Sequence, residues 1–393
     1  MSSHPPQDRF LLTAVLPNGA ARSVAERAVV TQNLTAFSWR ARTTLLRNNW
    51  LTRWMPPVTP MRTIFQMVVP APALDNTLAS IARYGRLDKQ ATGAVFAVRC
   101  QRSLLGPRFS AWPRVQNAYD VDIENITQPL TAIFCVVGSG LSDQVARAAV
   151  AAGAHGPIIS LAEGRGLRDR IGWLRITKEH TQDVQLVLAE TGVASAVFNA
   201  MARAGQFEKP GRGLIYRLPV AKGLFNLASE YTSARHAANM QQIIDAIDNL
   251  AGHTHWRDRA GTDHGEDYEA TCQLKVDGLA TEPANLCLTA IVRQSQSQVL
   301  NDIVIDCGAS GLNSTHAHFV SAAEDDEHVG DARIHDEYAV VRSVISPEVA
   351  THFMDVMAAH ADEFGLDDYC IATHPISEFV AYKAGSKDYR SAA

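Results

Sequence analysis

The chain has no C-x-x-C pair, no H-E-x-x-H, no G-x-S-x-G and no G-x-x-x-x-G-K-[ST] segment. Zinc fingers, zinc proteases, α/β-hydrolase nucleophiles and P-loops are therefore missing in their usual sequence forms. Positive charge is also scarce: 36 Lys and Arg stand against 41 Asp and Glu, a formal charge of −5. A dedicated nucleic-acid binder needs a basic surface to meet backbone phosphates, so that class is excluded. No apolar run approaches the length of a membrane span, and the protein is expected not to be membrane-embedded. The apolar run near the start, FLLTAVLP, lacks the positive leading region of a secretory signal and reads as a strand. Cys100, Cys135, Cys287 and Cys370 sit inside strand-like runs, as small buried hydrophobes of a reducing compartment, and a cytoplasmic location is expected.

What remains is an ordinary globular composition, 46% hydrophobic and 20% charged over 393 residues, enough for two to four domains. The most informative stretch is Leu130 to Gly223. A buried-strand run, LTAIFCVVG, gives way at Ser142-Asp143 to the helical pattern QVARAAVAAGA. A second strand, GPIISLAEG, leads into the glycine- and arginine-rich EGRGLRDRIG. A third strand (QDVQLVLAE), a helix (VASAVFNAMARAG) and a last strand (GRGLIYRLPV) follow. This β-α-β-β-α-β succession is that of the ferredoxin-like split βαβ, an antiparallel sheet with both helices on one face.

The glycines of this stretch resemble those of the PII signalling superfamily. Gly156 follows the first helix, Gly164 and Gly166 form a G-x-G at the base of a loop, and Gly211 and Gly213 form a second before the last strand. The sequence departs from that family at Leu214, where classical members place a phosphate-binding lysine. It departs again in the loop after Gly166, which lacks the modifiable tyrosine. The resemblance implies an adenine nucleotide (ATP, ADP or AMP) bound by these loops and a protein partner that reads the occupied state.

The rest of the chain reads as two diverged relatives of the central segment. Residues 9–104 repeat the succession, and LDKQATGAVFAV imitates FEKPGRGLIYRL with only Gly93 kept of the glycine pair. Trp50, Trp54 and Met55 fall where PII proteins carry a partner-contacting loop; packing within the chain explains them equally well. Residues 105–127 read as a connector, 128–224 as the best-preserved copy and 225–284 as a helical arm (SARHAANMQQIIDAIDNLAG) with a polar loop. Residues 285–382 are a third copy lacking both G-x-G elements. The expected fold class is α+β: three tandem ferredoxin-like, PII-like repeats. Because PII proteins are trimers, the resemblance implies that one chain with three copies closes into a pseudo-trimer.

Three constellations carry chemistry. Glycines let backbone N–H groups approach an anion, and Arg165, Arg168 and Arg212 beside Gly164, Gly166, Gly211 and Gly213 supply charge-assisted donors. Turn glycines kept for tight connections are the plain alternative. Gly138-Ser-Gly140 with Glu163 has part of a dinucleotide fingerprint, but Asp143 replaces its third glycine. His253 and His255, and again His316 and His318, are H-x-H pairs that would suit a divalent metal, with Asp326 and His328 as further ligands. Solvated or core-satisfied imidazoles are the bland reading. Two function classes follow. One is a regulatory sensor of a small anionic effector in the central repeat. The other is an enzyme on the same scaffold, possibly metal-assisted, using His and Arg in a cleft between repeats.

Overall fold

The structure is a computed structural model that describes residues 8–43, 61–87, 93–109, 127–166, 181–226, 285–322 and 332–382. The first part of the chain runs β1 (Arg9–Pro17), α1 (Asn18–Val24), β2 (Ala36–Thr43), β3 (Met61–Pro70), α2 (Ala71–Gly85), β4 (Gly93–Arg99) and β5 (Arg102–Leu105). Next come β6 (Leu130–Gly138), α3 (Ser142–Ala151), β7 (Ile158–Gly166), β8 (Thr181–Glu190), α4 (Thr191–Gly205), β9 (Leu214–Pro219) and β10 (Lys222–Asn226). The last part holds β11 (Leu286–Arg293), α5 (Ser297–Asp306), β12 (Gly311–Ala322), β13 (Ala332–Ile345), α6 (Pro347–His360), β14 (Tyr369–Pro375) and β15 (Glu378–Ala381). The fold is mixed α+β, and every strand pairing among the described residues is antiparallel.

Within that sheet the same local order recurs: β4-β1-β3-β2, then β9-β6-β8-β7, then β14-β11-β13-β12. Strand β6 shows why such segments are continuous apolar runs. It is buried along its length up to Gly138. Phe134 and Val136 face one cluster while Ile133, Cys135 and Val137 face another under α3 and α4. A strand covered on both faces has no polar alternation to show. The helices take their ends from local chemistry. Arg86 and Gln206 adopt the left-handed conformation after α2 and α4, and the Ser346 hydroxyl caps α6 by accepting from Val349 N at 3.4 Å. The first helix departs from its sequence pattern: after Val24 it widens into a π-helical stretch, Ala25–Val30.

The units are joined through two cycles of edge pairing. The end of β2 pairs with the start of β7 (Thr43 with Ile158), the end of β7 with the start of β12 (Gly166 with Gly311), and β12 with the start of β2 (Val320 with Ala36). In the second cycle a short arm strand follows each fourth strand and crosses to another unit. Strand β5 pairs with β14, β15 with β9, and β10 with β4. The crossing is made the same way each time: Gln101, Ser377 and Ala221 donate their backbone N–H groups to the carbonyls of Thr373, Arg217 and Ala97 at 2.7, 3.0 and 2.8 Å.

One large core therefore lies between the inner faces, and each unit keeps its own helix-side core. Matching rows across the inner faces read Phe96–Thr13–Gln66–Phe37, Tyr216–Phe134–Leu186–Ile158 and Ala372–Thr289–Arg342–Asn313. Phe37 packs on Tyr338, Phe109 and Phe319 at centroid distances of 5.0, 5.5 and 5.7 Å, so aromatic contacts cross between units.

The fourth strands begin under a steric constraint. A Cβ on Gly213 (φ +110°) would lie 1.8 Å from the Val136 carbonyl oxygen, and one on Gly93 (φ +145°) 2.2 Å from that of Val15. Both positions need glycine for packing and conformation, whatever else the loops do. Gly213→Ala and Gly93→Ala are each expected to cost about 1–3 kcal/mol or more in urea unfolding. Gly138→Ala, with open space around its Cβ, should stay within about 0.5 kcal/mol; equal effects at the three positions would contradict this assignment.

Candidate functional site

The loop from Gln206 to Gly213 is anchored by the left-handed Gln206 and by Phe207, whose fully buried ring lies over Gly205. From that anchor Glu208, Lys209, Pro210 and Gly211 project outward, with Arg212 half-buried. Gly211 has φ +79° and no atom within 4 Å of its Cβ position, so its freedom is conformational, whereas Gly213 is held against β6. Arm strand β15 lies along β9, with Ala381 opposite Leu214 and Glu378 opposite Arg217. Arg217 fastens the arm through a 2.9 Å ion pair to Glu378 and donates to Ser195 Oγ at 3.0 Å. Burial raises the Glu378 carboxyl above its ordinary range, and Arg217 partly offsets this. The arm thus brings Tyr382, 38% exposed, toward the start of β9, so strands of the second and third parts of the chain meet where the 206–213 loop enters the sheet.

The other predicted anion ligands are placed differently. Gly164, Arg165 and Gly166 are strand residues at the end of β7, laddered to Asn313, Leu312 and Gly311 of β12. Alternate N–H groups of that segment consequently face a neighbouring strand instead of an open cradle. A Cβ on Gly164 would fall 2.4 Å from the Gln182 side-chain amide. Strands β8 and β6 separate β7 from β9, and Gly213 is level with Leu161, so Gly164 and Gly213 lie at the same end of the sheet but roughly 17 Å apart, three strand spacings across and three residues along. Gly156 precedes β7 at its opposite end, roughly 30 Å from Gly166 along the strand. Among the described residues of the predicted set, Gly211, Arg212 and Gly213 lie together in one loop, apart from Gly156 and from Gly164–Gly166. Arg168, Trp50, Trp54, Met55, His253, His255, Asp326 and His328 lie outside the described residues.

His316 and His318 do share one face of β12, as their spacing requires, and both are exposed. Their surroundings are Gln294, whose amide nitrogen is 3.5 Å from His316 Nε2, and Glu337, across the ladder from His318. Among the described residues no group of three or more His, Cys, Asp and Glu side chains is arranged to hold a metal.

A second polar group of residues occupies the interior. Arg342, 4% exposed, points from β13 into the central core. Its Nη2 donates to Gln66 Oε1 at 3.1 Å, and the Gln66 amide donates to Thr13 Oγ1 at 3.4 Å. The guanidinium carbon lies 5.4 Å from the Trp39 ring centroid and 5.8 Å from that of Phe134. Burial pushes the Arg342 pKa down, and pushes up those of the nearby Tyr216 hydroxyl and Cys287 thiol, which are hydrogen-bonded at 3.6 Å. Trp39 Nε1, Asn313 Oδ1, Thr315 Oγ1 and His374 Nε2 are buried without hydrogen-bond partners among the described residues. The sequence did hold a signal for Arg342. In EYAVVRSVI it takes the inward register of Tyr338 and Val340, where a charge is out of place.

In comparisons with known proteins, no family model and no curated protein matches the chain. Among solved structures, a microcompartment protein from Desulfitobacterium hafniense DCB aligns over 63% of this chain and 95% of its own, with 11% identity and a TM-score of 0.18. A likeness of that size carries no argument about fold or function.

His374 is buried, and its Nδ1 donates to the Arg99 carbonyl oxygen at 3.2 Å, which fixes the neutral tautomer. Burial lowers its pKa from 6.5 to about 4. The unfolded chain takes up this proton first as pH falls, so stability drops between pH 6.5 and about 4, by at most about 3 kcal/mol. Urea midpoints measured across that window should fall in the wild type with a slope that His374→Gln reduces; an unchanged slope in the variant would contradict the assignment.

Proposed function

We propose that the protein is a PII-like regulatory sensor, three tandem ferredoxin-like repeats in a single-chain pseudo-trimer, which binds an adenine nucleotide and signals to a protein partner. The thrice-repeated strand order and the two cycles of edge pairing support the pseudo-trimer. The observation that carries the ligand reading is the 206–213 loop. It combines Lys209, Arg212 and an outward glycine of positive φ with an arm delivered from another repeat. Such a junction is where ligand occupancy can be passed from one repeat to the next, because Ala381 and Leu214 share a ladder that any movement of the loop must carry along. Arg212 and Lys209 supply the cationic donors that the leucine at position 214 does not. Arg165, by contrast, belongs to the β7–β12 ladder and is left out of the site.

Isothermal titration of the full chain with ATP, ADP and AMP is expected to show one site. Arg212→Ala removes a charge-assisted contact of about 1.5–3 kcal/mol and should weaken binding roughly ten- to a hundredfold. Lys89→Ala, which removes the first segment's counterpart of Lys209 in sequence, should leave affinity unchanged. No heat with any of these nucleotides, or equal affinity in Arg212→Ala, would overturn the reading.

A further inference from the structure

We propose that the central core holds one small monovalent inorganic anion, of chloride or bromide size, between Arg342, Trp39, Asn313 and Thr315. The first ground is charge. Arg342 is 4% exposed, and no ion pair to a carboxylate is found for it among the described residues. The carboxylate of Asp183, buried in the same protein, is instead matched by Arg42 at 3.2 Å. A guanidinium carries a permanent charge and five N–H donors. Here the Gln66 oxygen takes one of them, and the Trp39 and Phe134 faces provide only diffuse compensation. A buried charge left without a counter-charge is a severe cost, and the chain has put apolar rings where a carboxylate would otherwise be expected.

The second ground is the set of unpartnered polar atoms around that charge. Asn313 is the ladder partner of Arg342, and Thr315 is the next residue of β12 on the same inner face. Trp39 comes from β2, immediately after Ser38, which pairs with His318 of β12, and its ring lies beside the guanidinium. The indole N–H and the Thr315 hydroxyl are donors without acceptors, and the side-chain amide of Asn313 offers a further donor once its oxygen and nitrogen are interchanged. An acceptor with negative charge is what the Arg342 guanidinium and these three neighbouring donors each lack. A water molecule would fill the hydrogen bonds but leave the charge unmatched. The ion is small because the surrounding positions are filled by Phe37, Phe134 and Tyr338, each buried. It is distinct from the nucleotide reading: it uses none of the residues of the 206–213 loop.

The test uses the full chain crystallised in sodium bromide, with anomalous diffraction at the bromine edge. A peak within about 3.5 Å of the Arg342 guanidinium is expected. In solution, the melting temperature should rise saturably with bromide at constant ionic strength made up with gluconate. Thr315→Val, which keeps shape and removes a donor, should shift that titration to higher bromide. Arg342→Met should abolish it. No anomalous peak, together with equal melting in bromide and gluconate, overturns the proposal. So does a bromide dependence that survives unchanged in Arg342→Met or, should that variant not fold, in Thr315→Val.

Discussion

An antiparallel sheet of four strands has two edges whose N–H and C=O groups must find partners. In this chain that requirement is met by the other units. The outer second strands β2, β7 and β12 pair with one another end to start around a closed cycle, and the outer fourth strands each receive an arm from a different unit. Unpaired edges would otherwise template association with other chains. Because both cycles close within the molecule, the inner faces are forced together and the central core exists as a consequence. Each helix-side core draws mostly on one unit, whereas the central one draws on all three.

Matching backbone positions in that interior carry different chemistry. Gln66, Leu186 and Arg342 occupy corresponding places in their rows, one amide, one alkyl group and one cation. Arg342 and Gln66 are then complementary to each other, across units, through one hydrogen bond. Having the three units in one chain permits this, since each position can be chosen independently. The same independence lets a single loop, 206–213, carry a glycine pair that the corresponding sequences before β4 and β14 lack.

Much of the secondary structure was legible because the strands are covered on both faces. LTAIFCVVG reads as a strand and is one from Leu130 to Gly138; VASAVFNAMARAG reads as a helix and lies within Thr191–Gly205. The arms were not legible. Strands of four or five residues have too few positions for periodicity to register, and their partners lie far away in sequence. Gly164–Gly166 show a related effect: glycine and arginine look like loop, but β12 offers a ladder that draws the segment into the end of a strand. Arg342 is the reverse case, an inward charge whose register is readable in sequence, while its hydrogen-bond partner Gln66 lies 276 residues away. The H-x-H spacing of His316 and His318 correctly places them on one face, but spacing says nothing about a third ligand.

If shared edges hold the molecule together, no unit has a stability of its own. Native-state hydrogen exchange of Leu12, Ile133 and Leu288, buried on the first strand of each unit, tests this directly when followed against increasing urea. The account predicts that the three amides merge into one isotherm with a common opening free energy and a common slope. Three separate isotherms, each with the smaller slope of a single unit unfolding, would contradict it.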